Sequence, residues 1–227
     1  MKITQDLIVL DLEATSSENE NGHQENNNII QIGAIYLKKI ENKKYEITDR
    51  FNEIIKPKDE IISPFIEQLT GITNEAVKEK HHFDHAGIAF QEWATKNGNI
   101  KSTRLCAWGN YFDIPLLRKH YEKFNIKYPF SGTAYDVKSW TALWLMLSGR
   151  RTDKMSVETI AQLMGVKPTG KFHDALVDAE TTAKIALRIF EDLDNGVFID
   201  NDKNGKADHL KLKRLECDLP PITSFKV

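Results

Sequence analysis

The chain has 227 residues, 41% hydrophobic and 28% charged, with 31 Lys and Arg against 33 Asp and Glu for a formal net charge of -2. With a mean hydropathy of -0.45, these proportions are those of a globular protein and exclude wholesale disorder; no apolar run approaches the ~20 residues a membrane span needs. The charge balance excludes a bulk cationic coat for nucleic acid and leaves room only for a local or metal-mediated contact. At roughly 100–200 residues per domain, the length predicts one full domain plus extras, or two small ones. The two cysteines, Cys106 and Cys217, are far apart and form no CxxC motif. They fit a reducing, cytoplasmic compartment, and the start of the chain carries no basic head followed by an apolar leader.

Leu7 to Leu10 is a short apolar run followed at once by Asp11-Leu12-Glu13, which predicts a buried central strand. Ser16 to Asn28 is dense in Ser, Glu, Asn and Gly and reads as a solvent loop. Ile29 to Ile40 and Tyr45 to Ile55, joined across Glu41 to Lys44, read as two further strands, so that the first three form an antiparallel meander. Ser63-Pro64 marks a helix start, and Gly71 ends that helix after about Leu69. Phe83 to Lys96 has helical spacing. Leu105 to Trp108 reads as a short strand, and Ile114 to Phe124, Val137 to Leu147 and Val157 to Met164 as helices. From Asp174 onward, Leu176, Ala179, Ala183, Ala186, Phe190 and Leu193 share one helical face, and Asn195-Gly196 ends it. Strands followed by mixed helices and strands predict an α/β domain with a mixed sheet over residues 1–194.

Residues 195–227 form a C-terminal extension of different character. Asp200 to Asp208 matches the first half of a calcium loop, but position 12, which needs a bidentate Glu, is Lys211. The same stretch reads better as a β-hairpin, Val197 to Ile199 pairing with His209 to Leu212 around an Asn-Gly turn. His81 and His85 could share a helical face, yet no Cys or Glu nearby completes a metal set, and a solvated helix start explains them.

The chemistry rests on carboxylates. Asp11 and Glu13 are two apart in a strand, so both point to one face, at the strand end where ligand sites of α/β sheets collect. Asp113 follows Trp108-Gly109-Asn110-Tyr111-Phe112 at the mouth of a helix, where an N-cap Asp would also sit. Asp178 lies one position off the apolar stripe of the last helix, where a surface Asp is equally common. His173 precedes it by five positions, at a loop-to-helix junction where histidines are usually just solvated. Singly, each has a bland explanation. Together, four acids and a His at the ends of apolar elements suit Mg²⁺ or Mn²⁺ bound by hard oxygen ligands. A pair of such ions is a known device for in-line phosphoryl displacement, and histidine can take the proton of the attacking water.

Asp11-Leu12-Glu13-Ala14-Thr15, Gly109-Asn110-Tyr111-Phe112-Asp113 and His173-Asp174-Ala175-Leu176-Val177-Asp178 resemble, in order, the three motifs of the DnaQ-like DEDDh exonuclease superfamily. Leu69-Thr70-Gly71-Ile72-Thr73 resembles the segment this family places between its first two motifs. The resemblance spans about Leu7 to Leu193, and within the superfamily it is nearest the branch that trims RNA 3′ ends. It implies an RNase H-like fold: a five-stranded mixed sheet flanked by helices, the fifth strand falling near Ala134 to Val137. It further implies 3′→5′ hydrolysis of single-stranded RNA or DNA to nucleoside 5′-monophosphates. By position, Asp11, Glu13, Asp113 and Asp178 would hold two Mg²⁺ or Mn²⁺ ions, with His173 as general base. Ala14 and Thr15 would approach the 3′-terminal sugar, Ile72 the terminal base, and Asn110 the second motif or the sugar-phosphate; Phe112 would stack a base or join the core. Many members carry Thr-Thr-Gly after the Glu, where this chain has Ala14-Thr15-Ser16. Basic residues such as Arg150, Arg151, Lys154, Lys167 and Lys171 are candidates to track a backbone or are solvated loop charges. The competing readings are a polymerase-associated proofreading exonuclease, with 195–227 as docking segment, and a catalytically silent nucleic-acid-binding module.

Overall fold

The computed structural model describes residues 4–15, 27–40, 44–58 and 61–194. Five strands, β1 (Leu7–Ala14), β2 (Ile29–Lys39), β3 (Tyr45–Ile54), β4 (Arg104–Ala107) and β5 (Ala134–Asp136), form one sheet in the order β3-β2-β1-β4-β5. β1–β2 and β2–β3 pair antiparallel, while β1–β4 and β4–β5 pair parallel. The expected meander and mixed five-stranded sheet are therefore present. β1 is central and covered on both faces, which is why its sequence reads as a continuous apolar run rather than an alternation. β3, at the sheet edge, alternates part-buried and exposed positions instead.

The described residues also form seven helices: α1 (Pro64–Thr70), α2 (Asn74–Val77), α3 (Phe83–Asn97), α4 (Asp113–Lys123), α5 (Val137–Ser148), α6 (Val157–Met164) and α7 (Ala175–Asp194). The even residues of β1, Ile8, Leu10 and Leu12, pack with Phe83, Phe90, Leu117 and Tyr121 of α3 and α4. The odd residues Leu7 and Val9 pack with Trp144 of α5, Ile160 of α6 and Ala179, Ala183 and Ala186 of α7. Burying each large aliphatic side chain contributes about 1.5–3 kcal/mol, so the two layers supply the main driving force for docking helices on the sheet. The alanines let α7 lie close. At Gly33 of β2, an added Cβ would stand 2.1 Å from the Ala175 carbonyl carbon.

The ends of these elements follow their sequence signals. Ser63 caps α1 by accepting from the Ile66 N–H, and Gly71 ends it at φ 79. The α2 turn lies outside the sequence expectation, because four residues are too few to show helical periodicity; Thr73 caps it by accepting from Ala76 N–H. Together α1 and α2 bury Ile62, Ile66, Ile72 and Val77 against Ile30, a satellite cluster beside β2. Of the last-helix stripe, Ala179, Ala183 and Ala186 are fully buried, whereas Leu193 is 46% exposed. The extension 195–227, with its hairpin or calcium-loop reading, and residues 16–26 of the Ser16 to Asn28 loop lie outside the described residues. None of the described helices is long and apolar enough to cross a membrane.

Candidate active site

The site arises from a mismatch in strand length. β4 pairs with β1 only from Leu7 to Val9, while β1 runs on to Ala14. Asp11 and Glu13 therefore stand on the part of β1 whose β4 side has no strand neighbour. The backbone N–H of Leu12, between them, is instead satisfied by Asp113, whose Oδ1 accepts at 3.1 Å. Asp113 is the first residue of α4, and Phe112 is the cap position. The Asp113 carboxylate, one residue past the cap position, reaches across 101 residues to β1.

The third arm comes from the loop before α7. His173 adopts φ 66, in the left-handed region that a non-glycine residue enters at a cost of about 1–2 kcal/mol. Its N–H donates to Asp178 Oδ2 at 2.9 Å, which holds that turn against the first turn of α7. One ligand atom each of Glu13, His173 and Asp178 lies within 4.8 Å of the other two. His173 is exposed and Asp178 buried. Three elements distant in sequence, β1, the start of α4 and the start of α7, thus deliver the acids to one place.

The electrostatics show how unfavourable that place is without a cation. Burial, then the charges of Asp113, Glu13, Asp178 and Asp174, push the Asp11 carboxyl well above the ordinary carboxylate range. Burial, then Asp178, Asp113 and Asp174, push Glu13 up to about 8. Burial raises Asp178 to about 6 even though the His173 N–H and imidazole pull the other way. Like charges gathered in a cleft of reduced dielectric disfavour one another's ionisation. Asp178 Oδ1 is buried with no hydrogen-bond partner among the described residues, an orphaned acceptor of the kind a cation satisfies. Hard oxygen donors, one imidazole and an unmatched buried carboxylate oxygen fit Mg²⁺ or Mn²⁺.

Two participants escaped the sequence reading. Asp174 caps α7, its Oδ1 accepting from Leu176 N–H at 3.0 Å, and its charge also bears on Asp11, Glu13 and Asp178. Gln31 stands opposite Glu13 in the β1–β2 register and bonds to the Asp174–Ala175 turn. A polar residue inside the apolar run Ile29-Ile30-Gln31-Ile32 was the available signal for Gln31.

The residues expected near the substrate are placed as follows. Thr15 is buried, and its Oγ1 accepts from Asn28 N–H at 3.0 Å while its own N–H donates to Asn28 O, closing the base of the loop after β1. Ala14 is buried at the end of β1. Ile72 is 6% exposed within the satellite cluster. Asn110 Oδ1 is buried without a hydrogen-bond partner among the described residues. Phe112 packs on the α3–α4 core, and Tyr111 beside it is exposed. Lys171 reaches the Leu69 carbonyl at 3.4 Å, which joins the His173 loop to the end of α1. Arg150 lies over the Trp144 ring, 5.8 Å from its centre. His81 and His85 stack with ring centres 4.6 Å apart and belong to none of the metal-ligating groups found among the described residues.

A mixed five-stranded sheet flanked by helices, with Asp-x-Glu on the central strand and His-x-x-x-x-Asp leading into the last helix, defines a nuclease domain of the exonuclease class. The chain belongs to the RNase T exonuclease family, whose model, described as "Exonuclease", matches residues 8–186. It is 30% identical over 189 residues to the 3′-5′ exonuclease DinG of Bacillus subtilis, covering 83% of this chain and 18% of that protein. It is 30% identical to the PolC-type DNA polymerase III of Caldanaerobacter subterraneus over 83% of this chain and 12% of that one. To the epsilon subunit of DNA polymerase III from Pasteurella multocida it is 25% identical, over 79% of this chain and 66% of that one. The chain thus spans less than a fifth of the length of the first two relatives. Among solved structures, the nuclease domain of 3′hExo bound to rAMP aligns at TM-score 0.71 with 20% identity, over 85% of this chain and 95% of that one. Cell-death related nuclease 4 aligns at 0.72 with 18% identity, over 82% and 64%. These two likenesses concern the fold.

Proposed function

We propose that the chain is a metal-dependent 3′→5′ exonuclease that hydrolyses single-stranded RNA or DNA from its 3′ end to nucleoside 5′-monophosphates. The observation that carries the reading is the convergence of Glu13, His173 and Asp178 within 4.8 Å, with Asp113 hydrogen-bonded to the backbone between Asp11 and Glu13. In this reading Asp11, Glu13, Asp113 and Asp178 would hold two Mg²⁺ or Mn²⁺ ions, and bound ions would supply positive charge at the scissile phosphate. His173, exposed at the rim, would accept the proton of the attacking water as its oxygen bonds to phosphorus and the P–O3′ bond breaks, the O3′ staying on the shortened strand and taking a proton from solvent. Asp178 holds the His173 turn through the backbone N–H, so one acid serves both arms. Metal charge at the phosphate accounts for activity in a chain whose formal charge is only -2. The catalytic domain is assigned to residues 1–194 and the extension to 195–227.

The test is a time course on matched single-stranded RNA and DNA oligonucleotides, 5′-labelled, with Mg²⁺ or Mn²⁺ and the released products identified. A ladder shortening from the 3′ end with 5′-monophosphates as product supports the proposal. Full-length substrate persisting with both metals at micromolar protein contradicts it, and binding that survives EDTA without turnover supports the silent-module reading instead. A second reading, a proofreading exonuclease acting within a polymerase assembly, draws on relatives that include PolC-type and epsilon chains of DNA polymerase III. Co-purification with a polymerase supports it; full activity of the isolated, monodisperse chain weakens it.

A further inference from the structure

The acids of the site sit on separate elements, so something must fix the distance between the β1 arm and the α7 arm. Gln31 occupies that position. It pairs with Glu13 across the β1–β2 ladder, and directly opposed residues share a face of the sheet. That face is the one α7 covers. The Gln31 side chain is buried, with 2% of the residue exposed. Its Oε1 accepts from the Ala175 N–H at 3.0 Å, one of the amides at the start of α7 that no helical carbonyl can satisfy. Its Nε2 donates to Asp174 Oδ1 at 3.2 Å and to Asn52 Oδ1 of β3 at 2.9 Å. The side-chain amide therefore grips both residues that follow His173, while Asn52 holds it from the neighbouring strand.

Two further features make this grip consequential. Gly33, on the same face two residues along β2, allows the Ala175 backbone to approach where a Cβ would stand 2.1 Å from its carbonyl carbon. The His173 backbone is in the left-handed region, a conformation that persists only when neighbours enforce it. The enforcing bonds are His173 N–H to Asp178 Oδ2 on one side and the Gln31–Asp174–Ala175 set on the other.

We propose that Gln31 is a positioning residue that fixes the His173–Asp178 arm of α7 at its working distance from Glu13, through the Ala175 N–H and the Asp174 carboxylate. This rests on the function proposed above and adds a residue that would touch neither substrate nor metal. Gln31→Leu removes both hydrogen-bonding ends at similar bulk. Gln31→Glu keeps the acceptor for Ala175 N–H but loses the donor to Asp174 and Asn52 and adds a charge beside Asp174.

The experiment compares the full-length wild type with both variants in three measurements: amide hydrogen exchange, Mn²⁺ affinity by calorimetry, and kcat and KM on a single-stranded oligonucleotide at saturating Mn²⁺. For Gln31→Leu we expect exchange at residues 173–178 to rise about tenfold or more while β1 and β2 stay protected. Mn²⁺ affinity should weaken about tenfold, and kcat fall about tenfold with KM changed less than about threefold, a range seen for groups that orient metal ligands. Gln31→Glu should lower kcat at least as far as Gln31→Leu, because it loses the bond to Asp174 and adds a like charge there. Wild-type exchange at residues 173–178 in Gln31→Leu overturns the proposal, as does wild-type kcat in Gln31→Glu. Should Gln31→Leu be too unstable to assay, Gln31→Glu alone decides, and wild-type kcat with wild-type exchange at residues 173–178 overturns the proposal. A wild type that neither binds Mn²⁺ nor cleaves sinks the exonuclease reading, and the exchange result then judges the Gln31 clamp by itself.

Discussion

Neutralising Glu13 should stabilise the metal-free protein, and by an amount that depends on pH. Burial and the charges of Asp178, Asp113 and Asp174 lift its carboxyl from 4.5 to about 8 in the folded chain. A folded-state value raised above the unfolded one contributes stability that is complete below about pH 4.5 and is lost as pH rises to about 8. At pH 7.5 the unfolded chain has gained about three decades of ionisation that the native site forgoes, about 4 kcal/mol at ~1.4 kcal/mol per decade. Relaxation of the cleft and entry of water screen the repulsion, which leaves a net effect of about 2 kcal/mol. Glu13→Gln keeps the shape and removes the ionisable group. In EDTA it should unfold about 2 kcal/mol less readily than wild type at pH 7.5, about 4–8 °C in Tm for a domain of this size. The difference should vanish toward pH 4.5. Urea unfolding followed by circular dichroism from pH 4.5 to 8.5 measures it. Saturating Mn²⁺ should reverse the order, since the wild type gains about 2.7 kcal/mol at a hundredfold excess over Kd and the variant less. A variant no more stable than wild type at pH 7.5, or stabilised equally across the range, refutes the electrostatic reasoning.

Asp113→Ala leaves the Leu12 N–H inside the protein without its acceptor, and it should unfold about 1–3 kcal/mol more easily than Asp113→Asn, which retains a carbonyl oxygen there. Both should lack nuclease activity, so urea titration and an oligonucleotide assay together separate the structural role from the chemical one. Gly33→Ala drives a Cβ into the Ala175 backbone and should lower activity more than tenfold or prevent soluble expression; a fully active variant shows that α7 can retreat without disturbing the site. His120 is buried, its Nε2 accepting from Ile29 N–H and its Nδ1 donating to Leu116 O, and burial lowers its imidazole from 6.5 to about 4. The unfolded chain then binds more protons between pH 6.5 and 4, so His120 makes the fold lose stability as pH falls through that window. His120→Gln should flatten the acid limb of a urea-stability profile recorded in EDTA, whereas an unchanged limb assigns acid sensitivity to other groups.

The sheet was legible because its strands obey simple rules. β1 is buried on both faces and reads as an unbroken apolar run, and the signals Ser63-Pro64 and Gly71 delimit α1 within a residue. Strand alternation put Asp11 and Glu13 on one face, but by itself it fitted a solvated acidic strand end as well. Asp113 and Asp178 were ambiguous locally, one suiting an N-cap and the other a helix surface, because their role depends on contacts to residues far away in sequence: Leu12 N–H for Asp113 and the left-handed His173 turn for Asp178. Asp174 was hidden for the opposite reason. It does cap its helix, and nothing in its neighbours reveals that its charge also faces Asp11 and Glu13. Gln31 bonds to Asn52, Asp174 and Ala175 on other elements, so its place in an apolar run could flag it but not say what it holds. Ile72 and Thr15 are buried where the resemblance implied contact with substrate, Ile72 beneath α1 and α2 and Thr15 in the closure of a loop. Burial of that kind depends on tertiary packing, which neither spacing nor composition records.

The central claim is that acids from β1, α4 and α7 form a single divalent-metal site. Anomalous diffraction from crystals soaked in Mn²⁺ and a nucleoside 5′-monophosphate tests it most directly. The account predicts two peaks among Asp11, Glu13, Asp113 and Asp178, with the nucleotide phosphate against them and His173 facing it. Peaks elsewhere on the protein, with none among these four carboxylates, would contradict it.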